Sequence, residues 1–416
     1  MVRNKVNHPH RGWVGFWALV LILAITACSR DDPPAEPTSS PLPPTPTTSP
    51  SATPPPARQT PRPTATQRPP TATPAPPPTF TPSPTATTAP TATATPTPAL
   101  RRLTTGGCCT QPFWSPDSQQ VLFIDQPSPD APLGIWGVAL APPGATPQLR
   151  TGRIAFYSAD LSYVVTYNQG ETVIERLDGP LSETVVQRWT VPSGGRSISL
   201  SPGLMRIAWQ VSNDDAPSER RVSEVWVANF DGTEARAVAT LPRGGLSGWV
   251  SDDVLLLTGR ESLDSEVTVV YTLALSDEAH DTTVELVRAG RPRSYTLSPD
   301  RRWLVYYITF ADDPAENGLW LVRTDGTEQR QLAPELFGAY QWRDAHRLVI
   351  IPYRPEAVYH ELWEYDVETG QVRHLTDPGV TPFKVANGDW HVSPDGSHVA
   401  FVEDDDRNIW VLTLVE

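Results

Sequence analysis

Apolar residues beyond position 99 fall into short runs that alternate or stay apolar for a few positions, each set off by a turn, which is the signature of β-strands. The segments WSPDSQQVLFID (114–125), LSPDRRWLVYYI (297–308) and VSPDGSHVAFVE (392–403) share a Ser-Pro-Asp turn followed by such a run. Ser158-Ala159-Asp160, Ser201-Pro202-Gly203, Ser251-Asp252-Asp253 and Arg343-Asp344 continue the series, so a turn recurs every 43 to 50 residues and seven units result. The fifth unit reads as four short strands, SYTLSPD, RRWLVYYI, NGLWLVRTDG and TEQRQLA. Proline followed by aspartate suits a type I turn, and Asp231-Gly232 and Asp325-Gly326 suit tight hairpins between third and fourth strands. Ser-Pro-Asp is therefore read as structural, not catalytic.

A four-stranded sheet hides both faces only between neighbours, and a ring gives every sheet two of them. The repeat thus predicts an all-β chain, a seven-bladed β-propeller of four-stranded antiparallel blades over residues 100–416. The third strands GIWGVAL, EVWVANF, VTVVYTL, GLWLVRT, ELWEYDV and NIWVLTL agree, and Trp136, Trp226, Trp320, Trp363 and Trp410 take equivalent packing positions in five of them. The seventh unit stops after NIWVLTLVE without a fourth strand, while LRRLTT (100–105) precedes the first turn as VRHLT precedes the last. The N-terminal strand is expected to complete the final blade and remove its exposed edge.

Ahead of the repeat, Arg3, Lys5 and Arg11 precede WVGFWALVLILAITA, an apolar run of 15 residues that is short for a bilayer span and ordered like an export signal. Ile25-Thr26-Ala27-Cys28 resembles the bacterial lipobox, which implies a signal peptide over residues 1–27 and lipid on Cys28. An uncleaved membrane anchor is the alternative. Residues 28–99 would hold the lipidated cysteine and a disordered linker, since residues 31–98 contain 24 prolines and 19 threonines. Such a stalk would reach up to ~200 Å at ~3 Å per residue.

Seven basic and three acidic residues precede position 99, leaving 26 basic and 44 acidic beyond it, a net charge of −18. That excess disfavours nucleic acid and anionic lipid headgroups as partners.

The Ser-Pro-Asp units with apolar third strands resemble the TolB-type, WD-like propeller repeats of bacterial envelope proteins over residues 100–416. The resemblance implies an interaction scaffold of the cell envelope or the accessory domain of a peptidase. TolB-type members are similar to six-bladed rings preceded by a small domain, so seven units and a Pro/Thr stalk depart from them. No catalytic signature is found. A prolyl-peptidase arrangement would need a Gly-x-Ser-x-Gly elbow, and the chain offers GLSGW (245–249). His280, His346, His360, His374, His391 and His398 show no HExxH spacing.

Counting five residues back from each turn serine or its equivalent gives Thr110, Arg153, Arg196, Leu246, Arg293, Gly338 and Gly388, near the start of each innermost strand and hence around one mouth of the channel. Arg153, Arg196 and Arg293 either pair with nearby carboxylates or form an anion site. Trp249, Tyr295, Tyr340 and Trp390 are candidate aromatic rims for a ligand. Cys108 and Cys109 would lie at the same mouth, as a vicinal disulfide, as free thiols, or bound to a metal or to another chain. The loops 212–221, 310–318 and 403–408 are acidic without EF-hand spacing, and solvated loops are expected there, with Asp404, Asp405 and Asp406 the run to test for calcium.

The sequence thus leads us to expect a monomeric, lipid-anchored, extracytoplasmic propeller that binds a protein or cell-envelope glycan at its mouth. It would need no metal and no cofactor. A hydrolase or lyase acting on envelope carbohydrate is the alternative.

Overall fold

A computed structural model describes residues 99–107, 110–126, 128, 130–168, 170–276, 281–334 and 337–414. Residues 1–98, with the expected signal, Cys28 and stalk, lie outside these, as do Cys108 and Cys109. The described residues form seven four-stranded antiparallel sheets. Blade one spans 110–151, blade two 156–191, blade three 198–242, blade four 245–289, blade five 292–334 and blade six 338–374. In each of these, strand order in the sheet follows chain order from the inner to the outer strand. Blade seven takes three strands from 385–413, and its outer strand is Ala99–Arg102 from the other end of the chain.

That closing strand pairs Leu100 with Leu412 and Arg102 with Trp410. The latch continues past it. Leu103 N–H donates to Ile409 O at 2.8 Å, and the buried Thr104 hydroxyl accepts the Ile409 N–H at 2.8 Å and faces Asn408 Oδ1 at 3.4 Å. Gly107 N–H donates to the same Asn408 Oδ1 at 3.2 Å.

Seven apolar clusters fill the seven seams, one between each pair of adjacent blades, including Trp114, Phe123, Ala400 and Ile409 between blades one and seven. The second strands explain how. A strand buried on both faces reads as a continuous apolar run, and its period of two sends alternate side chains to opposite seams. In blade five all six residues of Trp303–Ile308 are buried. Trp303, Val305 and Tyr307 enter the seam with blade six, while Leu304, Tyr306 and Ile308 enter the seam with blade four. Outer strands such as Val185–Val191 are largely exposed, because only part of them enters a seam: Val191 is the one buried residue of that strand, packed with Ile207 and Trp209 of blade three.

The Ser-Pro-Asp turns are structural, as expected. Ser298 Oγ donates to Asp300 Oδ1 at 2.6 Å and accepts the Trp303 N–H at 3.0 Å; Ser115 and Ser393 make the same two bonds in blades one and seven. The residue three places after the serine is left-handed in five units, at Ser118, Leu161, Leu204, Arg301 and Gly396. Unit six replaces the serine with Arg343. Its buried guanidinium donates from Nε to Gly396 O of blade seven at 2.8 Å and pairs with Glu364, which also binds Arg373 at 2.8 Å.

Antiparallel order puts the loops between second and third strands, and those joining one blade to the next, on one face of the ring. The Ser-Pro-Asp turns and third-to-fourth hairpins lie on the opposite face. The chain enters blade seven at Ala99 from the Ser-Pro-Asp side.

Candidate functional site: the loop face of blades five to seven

Exposed apolar side chains concentrate on the loop face. Phe310, just past the second strand of blade five, is 71% exposed, and Tyr353, in the matching loop of blade six, is 73% exposed. Phe337, joining blade five to blade six, stacks on Tyr307 with centroids 6.0 Å apart. Its carbonyl accepts the Tyr353 N–H at 2.7 Å, which ties the two loops together. Val358 and Tyr359 extend the blade-six loop outward, and Val380 is exposed on the connection to blade seven.

These loops are held, not loose. Asp313 Oδ1 caps a short 3-10 turn at Pro314–Glu316 by accepting the Ala315 N–H at 2.9 Å, and Asn317 Oδ1 accepts the Ala311 N–H at 2.9 Å. His360 pins the blade-six loop to blade seven, donating its backbone N–H to Phe383 O at 2.9 Å and accepting the Val385 N–H on Nδ1 at 3.1 Å. Burial and the nearby Lys384 keep that imidazole below its ordinary pKa, so it stays an acceptor at neutral pH. Two cations overlie the aromatics: Arg293 sits 5.7 Å from the Phe310 ring centroid and Arg354 5.3 Å from that of Trp363. Water-facing aromatic and apolar groups beside arginine, on braced loops, make a surface suited to contact with another molecule.

The three expected arginines start their inner strands but are not brought together. Arg153 turns into its own blade and pairs with the buried Glu175, which Arg188 also approaches at 3.8 Å. Arg196 is exposed and donates from Nη1 to Ser193 O at 3.1 Å. Arg293 covers Phe310 of its own blade.

The expected aromatic rim is corrected in three of four positions, because inner-strand rings lie in the seams between blades. Trp249 is 2% exposed and its Nε1 donates to Ser199 O of blade three at 3.1 Å. Tyr340 is buried with its hydroxyl donated to Ser294 O of blade five, and Trp390 is buried between blades six and seven. Tyr295 is partly exposed, and its hydroxyl donates to Pro292 O at 2.9 Å. Burial raises its phenol pKa well above the ordinary value.

On the channel wall, Asp389 and His391 lie two residues apart on the inner strand of blade seven. Burial holds the Asp389 carboxyl above its usual range despite a bond from the Gln111 N–H, and pushes the His391 imidazole down to about 4. The residues flanking the two cysteines, Gly107 and Thr110, sit on the loop face, against Asn408 and at the start of the blade-one inner strand. Among the acidic loops, Asp404 pairs with Lys384 at 2.7 Å and Asp406 accepts the Asn408 and Trp410 N–H groups at 3.0 and 3.2 Å. Among the described residues, no three His, Cys, Asp or Glu side chains are arranged to hold a metal, and no helix is long and apolar enough to cross a membrane.

Fold and surface together define a closed seven-bladed β-propeller with an aromatic loop face. No protein-family model matches the chain, and no curated protein matches it. Among solved structures, an oligogalacturonate lyase in complex with manganese is similar over 77% of this chain and 96% of its own, at 15% identity and a TM-score of 0.53. An oligogalacturonate lyase from Vibrio parahaemolyticus matches 77% of this chain and 98% of its own at 12% identity and a TM-score of 0.49. A putative TolB from Agrobacterium tumefaciens matches 74% and 90% at 16% and 0.36. At these identities the likeness is one of fold.

Proposed function

We propose that this chain is an extracytoplasmic, lipid-anchored binding module that performs no chemistry, holding a protein or cell-envelope glycan on the loop face of blades five to seven. The observation that carries the reading is the exposure of Phe310, Phe337, Tyr353 and Val358 on neighbouring loops, with the Tyr353 N–H bonded to the Phe337 carbonyl. A ring of this kind gains nothing in stability from leaving such groups in water, and aromatic anchors beside arginine are what interfaces use. The test is capture of envelope proteins and binding to a glycan array by the full chain, compared with Phe310→Ala/Tyr353→Ala. Both changes are at exposed rings and should leave melting unchanged while reducing capture at least about tenfold, as loss of two anchors would. Equal capture by the variant would remove the loop face from the function.

A second reading, a hydrolase or lyase acting on envelope carbohydrate, is favoured by one observation: Asp389, whose carboxyl burial holds above its usual range, stands two residues from neutral His391 on the inner strand of blade seven. Release of new sugar ends from envelope polysaccharide, abolished by Asp389→Asn, would replace the binding reading with this one.

A further inference from the structure

Two neighbouring inner strands are bulged where they face each other. In blade four, pairing passes from Leu246–Leu257 to Gly248–Leu256, so Ser247 is left out of the ladder. In blade five it passes from Arg293–Tyr307 to Thr296–Val305, with Ser294 in the left-handed region at φ 59°. Bulges bend a strand away from its neighbour and recur beside binding sites. Here they leave a cavity of about 290 Å³, walled by Ser247, Gly248, Tyr295, Thr296 and Arg301. Gly248 marks the opening, since a Cβ added to it would meet no atom within 4 Å.

Arg301 supplies the charge. It is the left-handed residue of the blade-five Ser-Pro-Asp turn, and it reaches across the seam so that Nη1 donates to Trp249 O at 2.8 Å. That bond fixes the guanidinium and uses one of its five N–H groups. Among the described residues no carboxylate pairs with it, although acidic side chains outnumber basic ones in this region. Burial alone lowers its pKa, with no neighbouring charge to offset it. A positioned, partly desolvated and unpaired guanidinium at a polar cavity is suited to a planar oxyanion, through the donors the Trp249 carbonyl leaves free.

We infer that the cavity between blades four and five binds one small oxyanion, a carboxylate or a phosphate, with Arg301 as its counter-ion. The site lies between the inner strands of blades four and five, against the Ser-Pro-Asp turn of blade five, and is independent of the loop-face reading. Its volume, at the lower end of small-molecule pockets, suits a single small anion. Bidentate donation from Arg301 holds the anion, Ser247 and Thr296 line its far side, and the neutral Tyr295 ring closes one wall.

The experiment is titration calorimetry on the full chain with malonate, inorganic phosphate and neutral glycerol as separate probes. Saturable binding of malonate or phosphate at one site per chain is expected, without binding of glycerol, and the stronger of the two anions identifies the source. Arg301→Asn, which tolerates the left-handed backbone, should weaken binding at least about tenfold, the effect of losing a charge-assisted pair. Arg301→Lys should fall between it and the parent. Ser247→Phe keeps Arg301 and fills the opening; Ser247 is exposed and its hydroxyl meets only Thr258 Oγ1 at 3.2 Å, so folding should persist and binding should vanish. That variant carries the test if Arg301→Asn fails to fold. No saturable anion binding, glycerol binding as tight as malonate, or anion binding unchanged in Ser247→Phe would each overturn the proposal, while changes at Phe310 and Tyr353 should leave it untouched.

Discussion

Replacing Thr104 by valine isolates the latch that joins the two ends of the chain. The side chain keeps its shape, so packing against blade seven is preserved and only the hydroxyl is lost. Thr104 is 2% exposed, and its oxygen is the acceptor for the Ile409 N–H at 2.8 Å. In the variant that amide is buried without an acceptor, because water cannot reach it. Leaving one buried donor unsatisfied costs about 1–3 kcal/mol, whereas an ordinary exposed substitution stays within about 0.5 kcal/mol. Urea unfolding of the full chain, followed by tryptophan fluorescence, should show a lower midpoint with an unchanged slope, since the surface exposed on unfolding is the same. Thr233→Val is the control: its hydroxyl donates to Asp231 at 2.6 Å on an exposed hairpin and should shift the midpoint little. Equal midpoints for Thr104→Val and the parent would mean that residues 99–104 do not seat against Ile409, and the reasoning about closure would fail.

Other consequences follow from single contacts. Trp249→Phe should lower stability by about 1–2 kcal/mol, by loss of the bond to Ser199 O and of ring volume, and should not alter binding at the loop face; thermal melting with parallel capture assays checks both. Arg343→Met strands the buried Glu364 carboxylate with only the more exposed Arg373, so a loss of about 3–5 kcal/mol in urea unfolding is expected. The His391 imidazole, with a folded pKa of about 4, resists a proton that the unfolded chain accepts near 6.5. Its stability contribution is therefore full above about pH 6.5 and lost as pH falls toward 4, on the order of 2 kcal/mol once partial solvent access is allowed for. The difference between parent and His391→Gln in unfolding free energy should shrink over that interval, and a difference independent of pH would refute the assignment.

The ring was legible in the sequence because its rules are local. Each Ser-Pro-Asp turn closes on itself through the serine hydroxyl, so the full triplet in units one, five and seven and its degenerate copies in the others mark the same place whatever the strands do. Even the exception was visible at Arg343-Asp344, though the guanidinium's task of holding Gly396 of the next blade depends on the ring and could not be read from one unit. Side-chain direction was less legible. Counting back from the turns found the strand starts, but bulges at Gln111, Gly248, Ser294 and Asn387 break the alternation and reset which face each residue takes. Arg293 accordingly covers Phe310, and Trp249 and Trp390 enter the seams. Phe310, Phe337 and Tyr353 were passed over because they stand in loops beside acidic or proline residues, outside any alternating run; an aromatic just past a strand end was the available signal. Arg301 was hidden in the apolar context of RRWLVYYI, where only its left-handed backbone and the neighbouring blade give it a role.

The claim on which the rest depends, that the N-terminal strand closes the seventh blade, is tested most directly by Ala99→Cys/Thr413→Cys, at positions that face each other across the closing strand pair. In air-oxidised, folded full-length protein, peptide mapping should find residues 99 and 413 joined by a disulfide, and urea unfolding should require more denaturant until reductant is added. Folded protein in which those two cysteines stay unlinked, or link only to cysteines elsewhere, would contradict it.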